Sequence, residues 1–294
     1  MAISKVGVLG CGLMGHGISQ ICAQQGWDVV VREIDQAQLD KGMGKIEKQL
    51  ARAVEKGRME QSDADAVRGR ITPTLEYSDL ADCDLVIEAI TEDLDRKLEM
   101  WREVDELVKD DAYLATNTSS LSVATQADAT KRPERMIGLH FFNPPQVMPL
   151  LEVVRADDSA DDAVALGFEI GEALGKTTVA AGDNRGFIVN RLLVPYMLDA
   201  IRANEEGVGS ISDIDTGMMA GASHPMGPLT LADFVGLDTL VAIADVMVDA
   251  YGEDRFAAPD TLKKMVDAGD FGRKSGKGFY DYSGEKPVPV DAGA

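Results

Sequence analysis

A glycine-rich segment near the start of the chain constrains the fold more than any other feature. Gly10, Gly12 and Gly15 follow the apolar residues 6–9 with the spacing G-x-G-x-x-G. In this pattern the first glycine makes a tight turn, the second lets the backbone approach a pyrophosphate, and the third lets helix and strand pack closely. The amino end of the following helix then faces the phosphates. The segment therefore predicts the strand, loop and helix that open a dinucleotide-binding unit.

The residues after this segment complete the expected unit. Apolar residues recur at helical spacing up to Gly26, residues 28–31 form an apolar strand, and Glu33 follows near its end. An acid at this point holds the adenosine ribose hydroxyls of NAD. A lone glycine motif is a weak signal, but strand, motif, helix, strand and acid in this order are a strong one. We therefore expect an NAD site in which Glu33 binds the ribose and Leu13 and Met14 accompany the glycines.

Length and composition limit the remaining classes of protein. A chain of 294 residues, of which 45% are hydrophobic, suits one large or two ordinary globular domains. No run approaches the roughly eighteen apolar residues of a membrane span, and the first residues lack the basic region of a signal peptide. The three cysteines form no C-x-x-C pair, which argues against a metal site and for a reducing compartment. We therefore expect a cytoplasmic protein without a metal.

The charge of the chain is unusual. It has 29 basic and 50 acidic residues, a net charge of −21, with 32 Asp against 18 Glu and only 14 Lys. Nucleic acid is excluded as a partner because phosphate binding requires a basic face. In an ordinary acidic protein these carboxylates would lie at the surface and be solvated by water. The excess of Asp and the scarcity of Lys favour instead a halophilic protein, whose self-repulsion is screened by concentrated salt.

Beyond Glu33 the chain alternates apolar strands with helical stretches, as a parallel sheet with crossover helices requires. The strands are expected near residues 84–90, 112–116, 136–140, 150–154 and 177–181. Two helical stretches within about residues 35–70 have no strand between them and are expected to form an inserted helical hairpin. The fold class predicted for residues 1–184 is therefore α/β, a doubly wound sheet of the Rossmann type.

A polar and glycine-containing segment at residues 184–186 marks the expected domain boundary. The sequence beyond it is helical in pattern, with helices expected at residues 187–204, 211–220, 230–250 and 259–268. Residues 185–294 are therefore predicted to form an all-α domain.

Polar residues follow three of the predicted strands, where parallel sheets bind ligands. They are Glu92 and Lys97, Asn117 and Ser119, and His140 and Asn143. His140 is one of only three histidines, and twelve residues later Glu152 is a lone carboxylate in an apolar run. A carboxylate on one ring nitrogen fixes the tautomer of a histidine base. Taken alone, the pair also fits a structural histidine beside a buried acid, but the dinucleotide signature favours a nicotinamide dehydrogenase.

Six segments carry a resemblance to a known family, in order and over nearly the whole chain. They are residues 10–15, TNTSS at 116–120, HFFNP at 140–144, FIVNR at 187–191, HPMGP at 224–228 and GRKSG at 272–276. With them the chain resembles the L-3-hydroxyacyl-CoA dehydrogenase family, especially its 3-hydroxybutyryl-CoA dehydrogenase members. The resemblance implies NAD-dependent interconversion of (S)-3-hydroxyacyl-CoA and 3-ketoacyl-CoA in fatty acid metabolism, a short acyl chain, and a homodimer formed through the C-terminal domain.

The resemblance also implies roles for individual residues. His140 corresponds to the general base and Glu152 to the carboxylate that orients it, while Ser119 and Asn190 correspond to the groups that hold the reacting oxygens. Further cofactor contacts are implied at Glu92, Lys97, Asn117, Ser119, Asn143 and Lys274. Arg52 and Lys56 correspond to hairpin residues that meet the CoA phosphates, and their spacing of four places both on one helical face.

The chain departs from the family pattern in two places. After Asn143-Pro144 the family has a small residue and a proline, and a lysine before the next apolar pair, whereas this chain has Pro145, Gln146 and Pro149. The loop between base and carboxylate is therefore expected to be stiffer. The family often carries Asp in the place of Glu33, and the neighbouring Arg32 leaves acceptance of NADP open.

Two alternatives remain at this point. One is a dehydrogenase of a free hydroxy acid, such as a sugar acid, against which the basic pair on the hairpin argues. The other is a non-catalytic NAD-binding protein of the crystallin type, against which the complete set of His140, Glu152, Ser119 and Asn190 argues.

Overall fold

The computed structural model describes residues 3–290, which divide into two compact units. The first runs to Phe187 and the second begins at Ile188. A mostly parallel sheet with helices forms the first unit, and helices dominate the second. The α/β fold class with a helical C-terminal part is thus confirmed. Among the described residues no helix is both long and apolar enough to cross a bilayer.

The first unit opens with strand β1 (Lys5–Leu9), helix α1 (Gly15–Gln24) and strand β2 (Asp28–Arg32). The glycines of the loop are required by their surroundings. Gly10 has φ +91°, and a Cβ there would lie 2.6 Å from the carbonyl oxygen of Ala89. A Cβ on Gly15 would lie 1.8 Å from the carbonyl oxygen of Gly10. A side chain at either position would therefore break the turn or the packing of α1 on β1.

Six further strands complete the sheet, in the order β3-β2-β1-β4-β5-β6-β7-β8. They are β3 (Ile71–Thr74), β4 (Leu85–Glu88), β5 (Tyr113–Thr116), β6 (Met136–Phe141), β7 (Leu150–Arg155) and β8 (Thr177–Gly182). Neighbouring strands are parallel except β6 and β7, which are antiparallel. The strand order reverses at β1 and β4, so ligands are expected beyond the carboxyl ends of these strands.

The edge strand β3 was not predicted from the sequence. It has only four residues and contains Pro73, and a proline inside a short run argues against a strand. Proline is nevertheless tolerated at the edge of a sheet, which is where β3 lies.

Helices α2 (Gln36–Glu55) and α3 (Gln61–Gly69) occupy the stretch predicted as a hairpin. Asp35 begins α2 by accepting a hydrogen bond from the backbone N–H of Gln38. The buried side chains of α2 recur at helical spacing, at Leu39, Met43, Ile46 and Leu50. The remaining helices of the first unit are α4 (Leu94–Leu107), α5 (Val123–Ala127) and α6 (Asp161–Ala173).

The second unit contains helices α7 (Val189–Glu205), α8 (Ile211–Gly221), α9 (Pro228–Val235), α10 (Leu237–Tyr251) and α11 (Asp260–Asp267). The single helix predicted over residues 230–250 is wrong, because Gly236 separates α9 from α10 with φ +100°. Only glycine adopts this conformation without strain. Besides the helices, this unit has a small antiparallel ribbon of β9 (Tyr280–Asp281) and β10 (Val288–Pro289).

Two buried aspartates hold this ribbon to the helices. Asp233 of α9 accepts hydrogen bonds from the backbone N–H groups of Phe279 and Tyr280, both at 2.9 Å. Asp215 accepts one from the hydroxyl of Tyr280 at 2.8 Å. Burial raises the pKa of Asp233 to about 6, against the opposing effect of these donors. The ribbon is therefore attached through polar contacts that hydrophobic periodicity does not reveal.

Candidate active site

A cleft of about 900 Å³ lies beyond the carboxyl ends of β1, β2 and β4. Its lining includes Gly10, Gly12, Met14, Glu33 and Ile90. A Cβ added to Gly12 would meet nothing within 4 Å, so the backbone there faces open space that a phosphate can approach. The cleft therefore fits a dinucleotide, with the phosphates at the glycine loop and the amino end of α1.

The carboxylate of Glu33 lies at the edge of this cleft in a fixed orientation. One oxygen accepts the backbone N–H of Cys11 at 2.7 Å and the other accepts that of Ile34 at 2.9 Å. The side chain is 8% exposed and lines the cleft. Its carboxylate is thus held where a ribose hydroxyl can donate to it.

Arg32, which left NADP acceptance open, is already engaged. Its guanidinium lies 3.8 Å from the centre of the Tyr77 ring, and Nε donates to the carbonyl of Leu75 at 3.2 Å. Both Arg32 and Tyr77 line the cleft. A 2′-phosphate would have to draw the guanidinium away from these two partners.

Lys97 of α4 is enclosed between two carboxylates. Its ammonium lies 2.6 Å from Glu88 and 3.1 Å from Glu92, and its side chain is 1% exposed. Burial alone would lower the pKa of Lys97, but the two carboxylates outweigh burial and raise it. The second oxygen of Glu88 accepts from the hydroxyl of Thr116 at 2.6 Å. Lys97 is therefore a buried cation whose direct neighbours are protein groups.

Glu92 joins this ion pair to the loop that contains Ser119. Its Oε1 accepts the hydroxyl of Thr118 at 2.5 Å and the backbone N–H groups of Ser119 and Ser120 at 2.8 and 3.2 Å. Burial raises and Lys97 lowers the pKa of Glu92, and with these donors the net shift is downward. Glu92 was predicted as a cofactor contact. That role stays a prediction, and the structure shows that Glu92 fixes the Ser119 loop.

His140 and Glu152 lie directly opposite each other on the antiparallel strands β6 and β7. His140 Nδ1 is 2.6 Å from Glu152 Oε2, and the two residues are 5% and 0% exposed. The rings of Phe142 and Phe187 lie 4.6 and 5.4 Å from the imidazole. A carboxylate can only accept, so Nδ1 carries the proton and Nε2 is the basic nitrogen. This arrangement suits a general base held in one tautomer.

Asn117 connects the neighbouring strand ends. Its side-chain oxygen accepts the backbone N–H of Phe141 at 3.0 Å, which joins the end of β5 to the end of β6. Asn143 is exposed in the loop that follows β6. The structure thus brings Ser119, Asn117, His140 and Glu152 to one edge of the sheet.

The other predicted site residues lie elsewhere. Arg52 and Lys56 are exposed at the carboxyl end of α2. In the second unit, Asn190 is half-buried in the first turn of α7, and Lys274 forms an ion pair with Asp238. The roles assigned to Asn190 and Lys274 stay predictions.

Sequence reasoning missed the extent of the basic face of α2. Lys41, Lys45 and Lys48 precede Arg52 and Lys56 with spacings of four, three, four and four residues, which place all five on one face. This spacing was the available signal. In a chain with net charge −21, such a face is a marked exception.

A glycine loop under a dinucleotide-sized cleft, with a buried histidine–carboxylate pair at the same edge of the sheet, defines a nicotinamide-dependent dehydrogenase of the Rossmann type. Residues 5–184 match the sequence profile of the 3-hydroxyacyl-CoA dehydrogenase NAD binding domain, and residues 186–282 match that of the 3-hydroxyacyl-CoA dehydrogenase C-terminal domain. The chain belongs to the 3-hydroxyacyl-CoA dehydrogenase family. The predictions of this family and of NAD as its cofactor are confirmed.

Individual relatives agree over most of their length. The chain is 47% identical over 283 residues to a 3-hydroxybutyryl-CoA dehydrogenase of Mycobacterium tuberculosis, covering 96% of this chain and 99% of the relative. It is 42% identical over 288 residues to the enzyme of that name from Bradyrhizobium diazoefficiens, covering 98% of each. The crystal structure of (S)-3-hydroxybutyryl-CoA dehydrogenase PaaH1 from Ralstonia eutropha matches with a TM-score of 0.92 at 38% identity, covering 96% of this chain and 100% of that one.

Proposed function

We propose that this protein is an NAD-dependent (S)-3-hydroxybutyryl-CoA dehydrogenase, with His140 and Glu152 as its catalytic pair. The observation that carries the proposal is the buried 2.6 Å contact between these two side chains, at the edge of the sheet where a dehydrogenase binds its ligands. The names of the relatives that match over almost the whole chain support the short-chain substrate.

The residues divide the work of the reaction. Nε2 of His140 removes the proton of the 3-hydroxyl group, and Glu152 stabilises the imidazolium that results. NAD, which the glycine loop and Glu33 would hold, would supply the acceptor for the hydride that leaves carbon 3 of the substrate. Glu92 holds the backbone N–H of Ser119 at 2.8 Å. The Ser119 hydroxyl, which lies 3.4 Å from the same carboxylate oxygen, turns to donate to the substrate oxygen that becomes a carbonyl. In the reverse direction the imidazolium of His140 returns the proton.

The basic face of α2 supports a CoA ester as the substrate class. CoA carries three phosphates, which a row of cations can bind. A free hydroxy acid would present only one carboxylate and would not require a row of cations for binding. The test is to compare kcat/KM for acetoacetyl-CoA with that for free acetoacetate and sugar acids. A free acid used better than its CoA ester would overturn the substrate class, and absent turnover of all of them would favour a non-catalytic NAD-binding protein.

Acyl chain length needs a separate measurement. In an apolar pocket that a short acyl chain already fills, each extra methylene costs about 1–3 kcal/mol. We expect kcat/KM to be highest for acetoacetyl-CoA and to fall as the acyl chain lengthens. A rise with chain length would make the protein a general 3-hydroxyacyl-CoA dehydrogenase.

The preference for NADH over NADPH should depend on Glu33. Its carboxylate is positioned to accept the ribose hydroxyls and would repel a 2′-phosphate. We expect the wild type to prefer NADH in kcat/KM, and we expect Glu33→Ala to reduce the preference by weakening NADH use more than NADPH use. The control is Asp40→Ala on the exposed face of α2. A wild type that prefers NADPH would mean that Arg32 leaves Tyr77 to bind the phosphate.

The proposal also includes a homodimer formed through the second unit. It further includes a location in a cytoplasm with a high salt concentration. Exposed apolar side chains in that unit support the dimer, among them Leu192 at 69% and Phe234 at 52%. The net charge of −21 supports adaptation to high salt.

Salt should therefore stabilise and activate the protein together. Repulsion among the carboxylates acts on the folded protein more than on the expanded chain, so screening favours folding and association. We expect the thermal midpoint of unfolding and kcat/KM to rise between dilute buffer and molar KCl. Sedimentation at the same salt concentrations measures the fraction of dimer. Screening alone should saturate below 1 M, where the Debye length is about 3 Å. A flat or falling thermal midpoint would make this an ordinary acidic enzyme.

A further inference from the structure

Three side chains from separate parts of the first unit form a continuous hydrogen-bonded chain. Nε2 of Gln146 donates to Oε1 of Gln49 at 2.6 Å. Nε2 of Gln49 lies 3.3 Å from Nε2 of His16, and Nδ1 of His16 lies 2.6 Å from the carbonyl oxygen of Gly12. The chain thus connects the loop after β6, the hairpin helix α2 and the glycine loop.

Each bond of this chain has a fixed direction. The carbonyl of Gly12 can only accept, so Nδ1 of His16 carries a proton. Burial lowers the pKa of His16, outweighing the bond to Gly12 that raises it, and this favours the neutral ring. In the neutral ring Nε2 accepts, so it receives the amide N–H of Gln49. The oxygen of Gln49 then remains for Gln146. A change at either end therefore removes a defined bond.

The position of Gln146 is built into the fold. A Cβ added to Gly17 of α1 would lie 2.8 Å from both Nε2 and Oε1 of Gln146, so a side chain at position 17 would displace the amide of Gln146 from this place. Within the described residues, Oε1 of Gln146 is buried without a hydrogen-bond partner. A buried unpaired acceptor costs about 1–3 kcal/mol. An apolar side chain would avoid that cost, which favours a positioning role for the amide over a packing role.

Two members of this chain of bonds, Gly12 and Gln49, lie at the two proposed binding regions. Gly12 is the glycine whose backbone faces the open space for the pyrophosphate. Gln49 precedes Arg52 by three residues and Lys56 by seven, so it adjoins the basic face of α2. Gln146 stands where the family pattern has a proline, in the loop that follows the strand of His140.

We propose that His16, Gln49 and Gln146 are positioning residues that set the hairpin helix α2, and with it the CoA-binding face, against the glycine loop and the loop after His140. This inference rests on the proposed function because it takes CoA as the ligand of α2. The bonds from His16 towards Gln49 and Gln146 act on the affinity for acyl-CoA. The bond from His16 to Gly12 acts on the affinity for the dinucleotide.

Four substitutions separate the bonds on the acyl-CoA side from the bond on the dinucleotide side. Gln49→Met and Gln146→Met keep the shape and remove the amide. His16→Asn keeps a donor at the position of Nδ1 and removes the acceptor for Gln49. His16→Gln keeps an acceptor at the position of Nε2 and removes the donor to Gly12. Gln24→Met is the matched control, because Gln24 is exposed on the same helix as His16.

The readouts are KM and kcat for acetoacetyl-CoA, the Kd of NADH by fluorescence, and the thermal midpoint. Gln146→Met and His16→Asn should raise KM for acetoacetyl-CoA about 3- to 10-fold, the effect of one lost hydrogen bond in the chain, with kcat and the NADH Kd nearly unchanged. Gln49→Met loses two bonds of the chain and should raise KM by at least as much. His16→Gln should raise the NADH Kd by a similar factor and leave KM for acetoacetyl-CoA nearly unchanged. Gln24→Met should match the wild type.

Two outcomes would overturn the inference. In the first, all four variants change kcat, KM and the NADH Kd alike together with the thermal midpoint, which indicates general loosening of the fold. In the second, no kinetic parameter changes although the wild type turns over acetoacetyl-CoA, and this result leaves the proposed function intact. Absent turnover by the wild type would instead overturn the proposed function, and the inference with it.

Discussion

Replacing His140 by alanine should lower kcat by about two to four orders of magnitude, which is the usual contribution of a positioned acid–base group. The reason is that Nε2 of His140 is the proposed proton acceptor, and Glu152 holds it in that tautomer at 2.6 Å. The residues that line the dinucleotide cleft do not include His140, so NADH should bind to the variant with unchanged affinity. Steady-state kinetics with acetoacetyl-CoA and NADH fluorescence measure the two quantities.

A second substitution tests the partner of the base. Glu152→Gln retains an oxygen that can accept from Nδ1 but removes the charge that stabilises the imidazolium. It should therefore lose less activity than His140→Ala and more than the exposed control Gln24→Met. A kcat of His140→Ala close to that of the wild type would show that His140 is not the general base. The thermal midpoints of both variants distinguish lost chemistry from lost folding.

Removing the buried cation should have the largest effect on stability. In Lys97→Met the carboxylates of Glu88 and Glu92 lose the ammonium that lies 2.6 and 3.1 Å away. Breaking a buried ion pair on one side costs about 3–5 kcal/mol of unfolding free energy. Because Glu92 also holds the Ser119 loop, kcat should fall with stability. Urea denaturation measures the free energy, and kinetics at a temperature where the variant is folded measure kcat.

The matched control is Lys131→Met. Lys131 also pairs with a carboxylate, that of Glu106, but the two side chains are 68% and 60% exposed. Exposed pairs contribute about 0–1 kcal/mol, so this variant should lie close to the wild type. Equal losses of unfolding free energy in the two variants would mean that the buried carboxylates of Glu88 and Glu92 do not depend on Lys97.

The sequence allowed the glycine loop and its strand–helix–strand unit to be predicted because each glycine answers a local steric demand. Gly10 and Gly15 have no room for a side chain, and that demand appears directly in the spacing of the residues. The pairing of His140 with Glu152 was also accessible, because a lone polar residue on an otherwise apolar strand is conspicuous.

Other features depend on partners that are distant in sequence. The donors to Asp233 come from residues more than forty positions later, and no local pattern signals a buried aspartate that binds backbone N–H groups. The break at Gly236 was missed because apolar periodicity continues across it. Likewise, nothing near Gln146 indicates that its amide meets Gln49 of α2. These features follow from packing and from the path of the chain.

The antiparallel register of β6 and β7 makes the proposed acid–base pair a property of two strands rather than of the loop between them. Gly138, Leu139, His140 and Phe141 face Val154, Val153, Glu152 and Leu151 in turn. A single residue inserted within β7 would turn the carboxylate to the other side of the sheet. Residues added to the loop at positions 143–149 would leave the pair in place. Natural or engineered variation of this loop can therefore proceed while the contact between His140 and Glu152, and with it the proposed proton transfer, is inherited unchanged.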